Sequence, residues 1–132
     1  MRTRPWWMTA LAIVCVAALL INVARDLFIP DARDVEVWFG FEARGRLGIL
    51  TAQIHWTILA IGAWSFWTRR RWVVPCAGAY LLYAAVSHLV WSEASPHGRG
   101  WLVGLAQAAV ISLFALLLIR AGTRLDAPTD TV

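Results

Sequence analysis

Residues 47–91 read LGILTAQIHWTILAIGAWSFWTRRRWVVPCAGAYLLYAAVSHLVW. Residues 47–68 carry no formal charge over 22 positions, the run Arg69-Arg70-Arg71 interrupts, and residues 72–92 carry none over a further 21. A helix rising ~1.5 Å per residue needs about 20 residues to cross a ~30 Å hydrocarbon layer. Each half satisfies that requirement once, and the break between them is short enough to make the two helices antiparallel neighbours.

The same pattern extends outward in both directions. Residues 5–24 and 100–119 are charge-free runs of 20 positions each. All 12 basic residues are arginine, and they fall with the 8 acidic ones outside the four runs. The chain of 132 residues is 60% hydrophobic and 15% charged, with nine tryptophans, whereas soluble domains carry about 25% charged residues. A chain this small has no core large enough to hide so much apolar surface from water. The expected fold class is therefore all-α, a four-transmembrane-helix antiparallel bundle forming one integral membrane domain. Helices are expected over about 6–24, 47–67, 72–91 and 101–119, with an outer loop over 25–46 and a disordered tail over 120–132.

Two segments admit competing readings. Arg2 and Arg4 before an apolar run resemble a signal peptide. Asn22-Val23-Ala24 is a poor small-residue cleavage site, and Val14 before Cys15 does not suit a lipoprotein site, so the run is read as an uncleaved first helix. The segment from Val35 to Glu42 alternates apolar and polar residues for part of its length, as a strand does. With no strand partner in view, a surface segment dipping Trp38, Phe39 and Phe41 into lipid headgroups is the preferred expectation.

Arginine placement orients the spans. Arg2, Arg4, Arg69, Arg70, Arg71, Arg120 and Arg124 fall on one side, and Arg25, Arg33, Arg44, Arg46 and Arg99 on the other. The positive-inside rule places the first group, and both termini, in the cytoplasm of a cell whose plasma or inner membrane holds the chain. Trp6, Trp7, Trp64, Trp67 and Trp72 then mark the inner interface and Trp91 and Trp101 the outer one, where indole rings satisfy their N–H. Arginine at helix ends accounts for the net charge of +4 and the pI near 10, so a nucleic-acid partner is set aside. Arginine without lysine is consistent with a GC-rich bacterial genome.

Membrane helices associate through small and polar residues. Candidate seams are Leu11, Cys15, Ala18 and Asn22; Gly48, Thr51, Ala52, His55 and Gly62; Ala77, Leu81, Ala84, His88 and Trp91; and Gly104, Gln107, Ala108, Ile111 and Ala115. They suggest a left-handed bundle with its polar groups inward.

On this topology Asn22 and His88 lie ~5 Å below the outer surface, Gln53 and Gln107 ~9 Å, and His55 ~12 Å. Ser87 and Trp91 sit near the level of His88. These seven residues are the candidate lining of an outer-leaflet polar pocket, with Glu36, Glu42, Glu93 and His97 near its mouth. Embedded ionisable groups are costly and tend to be functional, and an imidazole can exchange protons or bind metal or haem iron. The competing reading is packing, in which these side chains hydrogen-bond between helices for ~0.6 kcal/mol each.

The functional expectation is a small membrane protein without catalytic activity, either an assembly subunit or homo-oligomer, or a binder of an apolar ligand. A haem- or metal-binding redox protein using His55 and His88 is one alternative, and a small oligomeric transporter is another. The metal reading lacks HxxxH, ExxH and a third intramembrane ligand. The absence of CxxC, GxSxG and HExxH argues against disulfide chemistry and the common hydrolases. Without an Asp or Glu in the four runs, a carboxylate-driven pump also loses support.

Overall fold

The computed structural model describes residues 5–29 and 35–126. Four helices carry the fold: α1 (Trp6–Phe28), α2 (Arg46–Trp67), α3 (Val73–Ala94) and α4 (Trp101–Asp126). Each contains a stretch long and apolar enough to cross a membrane. Between α1 and α2 lies a two-stranded antiparallel hairpin, β1 (Val35–Trp38) and β2 (Phe41–Arg44).

Three boundaries differ from the sequence expectation for physical reasons. Helix α1 runs on to Phe28 because its charges are paired within the fold: Arg25 Nε donates to Asp26 Oδ1 at 2.7 Å, and Asp26 is only 4% exposed. A buried carboxylate therefore sits on a membrane-length helix, two positions past its charge-free run. Helix α4 continues to Asp126, so residues 120–126 are helical rather than disordered; residues 127–132 lie outside the described residues. The alternating segment is a paired strand and not an unpaired surface segment, since its partner follows directly after a two-residue turn.

That turn, Phe39-Gly40, has positive φ at both positions, 51° and 84°, the signature of the type I′ turn that matches the twist of a hairpin. Glycine is required at the second position for a further reason. A Cβ there would lie 2.3 Å from Val90 Cβ and 2.4 Å from Val90 Cγ1. The hairpin tip is seated directly on α3.

The helices pack as two pairs, α1 with α2 and α3 with α4, while α2 and α3 touch little beyond their shared turn. The α3–α4 contact is close because small residues line it. Val74, Gly78, Ala85 and Ser92 on α3 are buried, as are Gly104, Ala108, Ala115 and Gly122 on α4. A Cβ on Gly78 would fall 2.5 Å from Ile119 Cγ1. The spacings on α4 are those of the small-residue seams that join membrane helices. At the Arg69–Arg71 end all four helices converge on a core cluster of Met8, Ala12, Phe66, Val73 and Val74, with Leu118 packed against it. The turn itself is tight. Arg69 takes positive φ (60°), Arg70 N–H donates to Ser65 O at 2.9 Å, and Arg69 N–H to Phe66 O at 3.2 Å, the two bonds of a Schellman stop. At the opposite end the hairpin lies between α2 and α3 and contacts both.

Gly40→Ala is expected to unseat the hairpin and destabilise the protein by about 1–3 kcal/mol, the usual cost of an overpacked contact. Thermal unfolding in detergent micelles measures it; an unchanged midpoint would contradict the seating on Val90.

Candidate functional site

Strand periodicity sends Glu36 and Trp38 to the same face of β1, and both meet His55 on α2. The Nδ1–H of His55 donates to Glu36 Oε1 at 2.7 Å. The indole of Trp38 stacks on the imidazole with centroids 4.4 Å apart and planes 16° from parallel. The second Glu36 oxygen accepts from Arg25 Nη2 at 2.9 Å. Glu36 thus joins α1, β1 and α2 through one carboxylate. Burial pushes its carboxyl up, but hydrogen bonds and charge from His55 and then Arg25 outweigh burial, leaving it below the ordinary value of 4.5. The ionised Glu36 fixes His55 with its proton on Nδ1 and leaves Nε2 as the open ring nitrogen. Among the described residues, Nε2 has no hydrogen-bond partner.

Helix α3 supplies the opposite wall. Tyr83 Oη accepts the Phe39 N–H at 3.1 Å and Ser87 Oγ accepts the Gly40 N–H at 2.9 Å. Tyr80 stands edge-on to His55 with centroids 6.3 Å apart. Further along, Glu42 accepts from Ser95 Oγ at 2.9 Å and from Trp91 Nε1 at 3.3 Å, and pairs with Arg44. The hydrogen bond from Ser95, then those from Arg44 and Trp91, hold its carboxyl below the ordinary range. Both faces of the hairpin are therefore bonded, one toward α1 and α2, the other toward α3.

Between them lies a cavity of about 320 Å³, lined by Arg25, Val35, Glu36, Val37, His55, Tyr80, Tyr83, Ala84, Ser87, His88 and Trp91. Its size falls within the range of small-ligand sites, and its mix of aromatic walls and a few polar groups is typical of them.

The structure brings together four of the seven residues expected to line a pocket, His55, Ser87, His88 and Trp91. It does not bring the other three to this cavity. Asn22 donates through Nδ2 to Ala18 O at 2.8 Å, so its amide is used within its own helix. Gln107 is exposed because Ala108 takes the inward position against α3, and Gln53 is exposed one residue past the buried Ala52. Gln53 instead borders a separate cavity of about 100 Å³ with Asp26 and Trp56. Asp26 Oδ2 and Trp56 Nε1 are buried without protein partners among the described residues, and the cavity has room for a bridging water. His88 is exposed, and His97 reaches toward Glu42 at 3.7 Å rather than toward the cavity.

Arg25, Glu36, Tyr80 and Tyr83 are the polar lining residues that sequence reasoning passed over as pocket walls, although it placed Glu36 near the mouth. The one available signal for Glu36 was the alternation of residues 35–38. Among the described residues no three His, Cys, Asp or Glu side chains gather as a metal site, so the haem or metal reading gains no ligand from the fold. No protein-family model matches this chain, no curated protein matches it, and no solved structure matches it.

Because Glu36 is held below its ordinary value of 4.5, its stabilising contribution is present above that pH and is lost as pH falls through the folded value. Unfolding midpoints followed through this acid window are expected to drop in the wild type. Glu36→Gln should flatten that drop and, near neutral pH, destabilise by about 1–3 kcal/mol, moderated by the partial exposure of Arg25. An identical acid limb in both proteins would remove Glu36 from this role.

Proposed function

We propose that this chain is a multi-pass membrane protein that holds a small amphipathic ligand in a pocket under the outer membrane surface. The observation that carries the reading is the cavity walled by His55, His88 and Ser87, in which a carboxylate orients His55 and leaves its Nε2 open. The clamp from Glu36 resembles the outer partners that fix working histidines in binding and catalytic sites.

Membrane insertion is supported by what the helices leave uncovered. Val14, Leu20, Ile21, Leu50, Val86, Leu102, Val110 and Leu113 are each more than half exposed and are spread over all four helices. Soluble monomers rarely expose such continuous apolar surface, and lipid is the solvent that covers it. The positive-inside rule applied to Arg69-Arg70-Arg71 places that turn and both termini in the cytoplasm and the hairpin outside. The chain acts in this reading as a binding protein rather than a catalyst.

One observation favours a second role as an assembly subunit or homo-oligomer. Gln107 is exposed on α4 among the exposed apolar residues Val103, Val110 and Phe114. A primary amide facing lipid is costly unless a neighbouring helix bonds it. Gln107→Leu is expected to weaken self-association or partner capture, read by cross-linking in native membranes; an unchanged cross-linking pattern would discard that role.

Two measurements test the main reading. Reporter fusions should place the Arg69–Arg71 turn and the C-terminus inside and the Phe39-Gly40 turn outside. Native mass spectrometry of protein extracted in mild detergent should show a small bound molecule that His55→Ala releases while the helices remain folded. A folded protein with no such adduct, or one indifferent to His55, would leave packing as the role of these side chains.

A further inference from the structure

A second cavity of about 260 Å³ lies below the first, walled by Ile58, Gly62 and Phe66 of α2, Cys76 and Ala77 of α3, and Cys15 of α1. Its walls are apolar, and Tyr80 borders both this groove and the polar cavity above. Trp72 marks its far end, eight positions before Tyr80, a depth of ~12 Å along a helix. Ile61 and Trp72 are about half exposed, so the groove opens sideways, toward the lipid on the membrane reading. The two helix pairs leave this space because α2 and α3 touch little beyond their turn.

We propose that the cavity and the groove form one site for a quinone or quinol bearing a prenyl or alkyl tail, with the ring among His55, Tyr80 and Tyr83 and the tail in the groove. The proposal rests on the ligand-pocket reading above and names its ligand class. A long apolar slot beneath a small polar chamber fits a molecule with one compact head and one tail. Charge decides the head. Among the described residues the only arginine at the chamber is Arg25, and it is already paired with both Asp26 and Glu36. Two carboxylates against one guanidinium leave Arg25 no spare charge for a phosphate or sulfate and disfavour an anionic head. The groups still open to a ligand include His55 Nε2, His88, the Tyr80 hydroxyl, and the Tyr83 hydroxyl hydrogen, whose oxygen alone is used by Phe39. The chamber walls are flat rings, with Trp38 packed behind His55. A planar ring with two oxygen substituents stacks against such walls, accepts from the tyrosines, and exchanges a hydrogen bond with Nε2.

The test uses the full chain in detergent micelles, with quenching of tryptophan fluorescence as readout. Decyl-ubiquinone, the same ring without its tail, and a decanoyl lysophosphatidylglycerol are the three probes. Decyl-ubiquinone is expected to quench saturably, and the tail-free ring to bind at least about tenfold more weakly, since two buried methylenes already account for that factor. Gly62→Leu, which fills the groove from α2, should bring the tailed probe down to the affinity of the bare ring and leave the bare ring unchanged. Cys76→Phe fills it from the exposed opposite wall and gives the same result without disturbing the α1–α2 contact. His55→Ala should weaken both rings. Equal affinity of the two rings, or indifference to both groove variants, overturns the tail site even where His55-dependent ring binding upholds the pocket. Absence of saturable quenching, or displacement of the quinone by the anionic lipid at equal concentration, overturns the quinone head; a bound molecule of another class seen by mass spectrometry would still uphold the pocket.

Discussion

The Glu36 carboxylate is the interaction on which the upper half of the molecule depends. One oxygen accepts from Arg25 at the end of α1 and the other from His55 on α2, while the strand that carries Glu36 is pinned through its turn to Tyr83 and Ser87 on α3. Three helices are thereby tied to a hairpin of eight paired residues. The arrangement is economical in polar terms. A buried carboxylate is costly alone, but here each oxygen receives a charged or chargeable donor, and the guanidinium is neutralised in turn by Asp26. A two-stranded hairpin is marginal in isolation; this one is stable because both of its faces and its tip are bonded to helices.

The lower half is held by different means. Close contact between α3 and α4 comes from small residues that let the backbones approach, with Ile119 filling the space over Gly78. The four-helix core at Phe66, Val73 and Val74 completes that end. Between these two regimes, where neither small-residue packing nor the hairpin joins α2 to α3, the cavities lie. The site is therefore a consequence of architecture: two tightly packed helix pairs, joined at one end by a tight turn and held apart at the other by the hairpin between them.

Much of this was legible in the sequence. Four charge-free runs set the number and approximate position of the helices, and Gly104, Ala108 and Ala115 marked the face that α4 turns to α3. His55 stood out because an imidazole in the middle of an apolar run needs a partner. What could not be read was the identity of that partner. Glu36 lies 19 positions before His55, in a segment whose charges looked like those of a solvated loop, and the strand needed to aim it has a Phe-Gly turn in place of the more common Asn-Gly signal. The helix ends were misjudged for the same reason. Arg25 and Asp26 end the charge-free run, yet their mutual pairing and that of Arg25 with Glu36 keep both on α1. Gln107 falls on the expected seam, and Gln53 in the expected pocket, because each shares a turn with small residues. Periodicity along a helix cannot separate neighbours about 100° apart without knowing which helix lies opposite.

His55 acquires its character from this network and not from its depth alone. With Nδ1 committed to Glu36 and one ring face covered by Trp38, the imidazole retains a single open polar atom, held in direction by the carboxylate and in plane by the indole. The bond at Nδ1 joins α2 to β1 and leaves Nε2 without a partner among the described residues. Around it, Tyr80 stands nearly perpendicular to the imidazole, and Tyr83 and Ser87 turn oxygens to the hairpin backbone. The network thus fixes the imidazole beside a chamber of aromatic rings, with one ring nitrogen unbonded among the described residues.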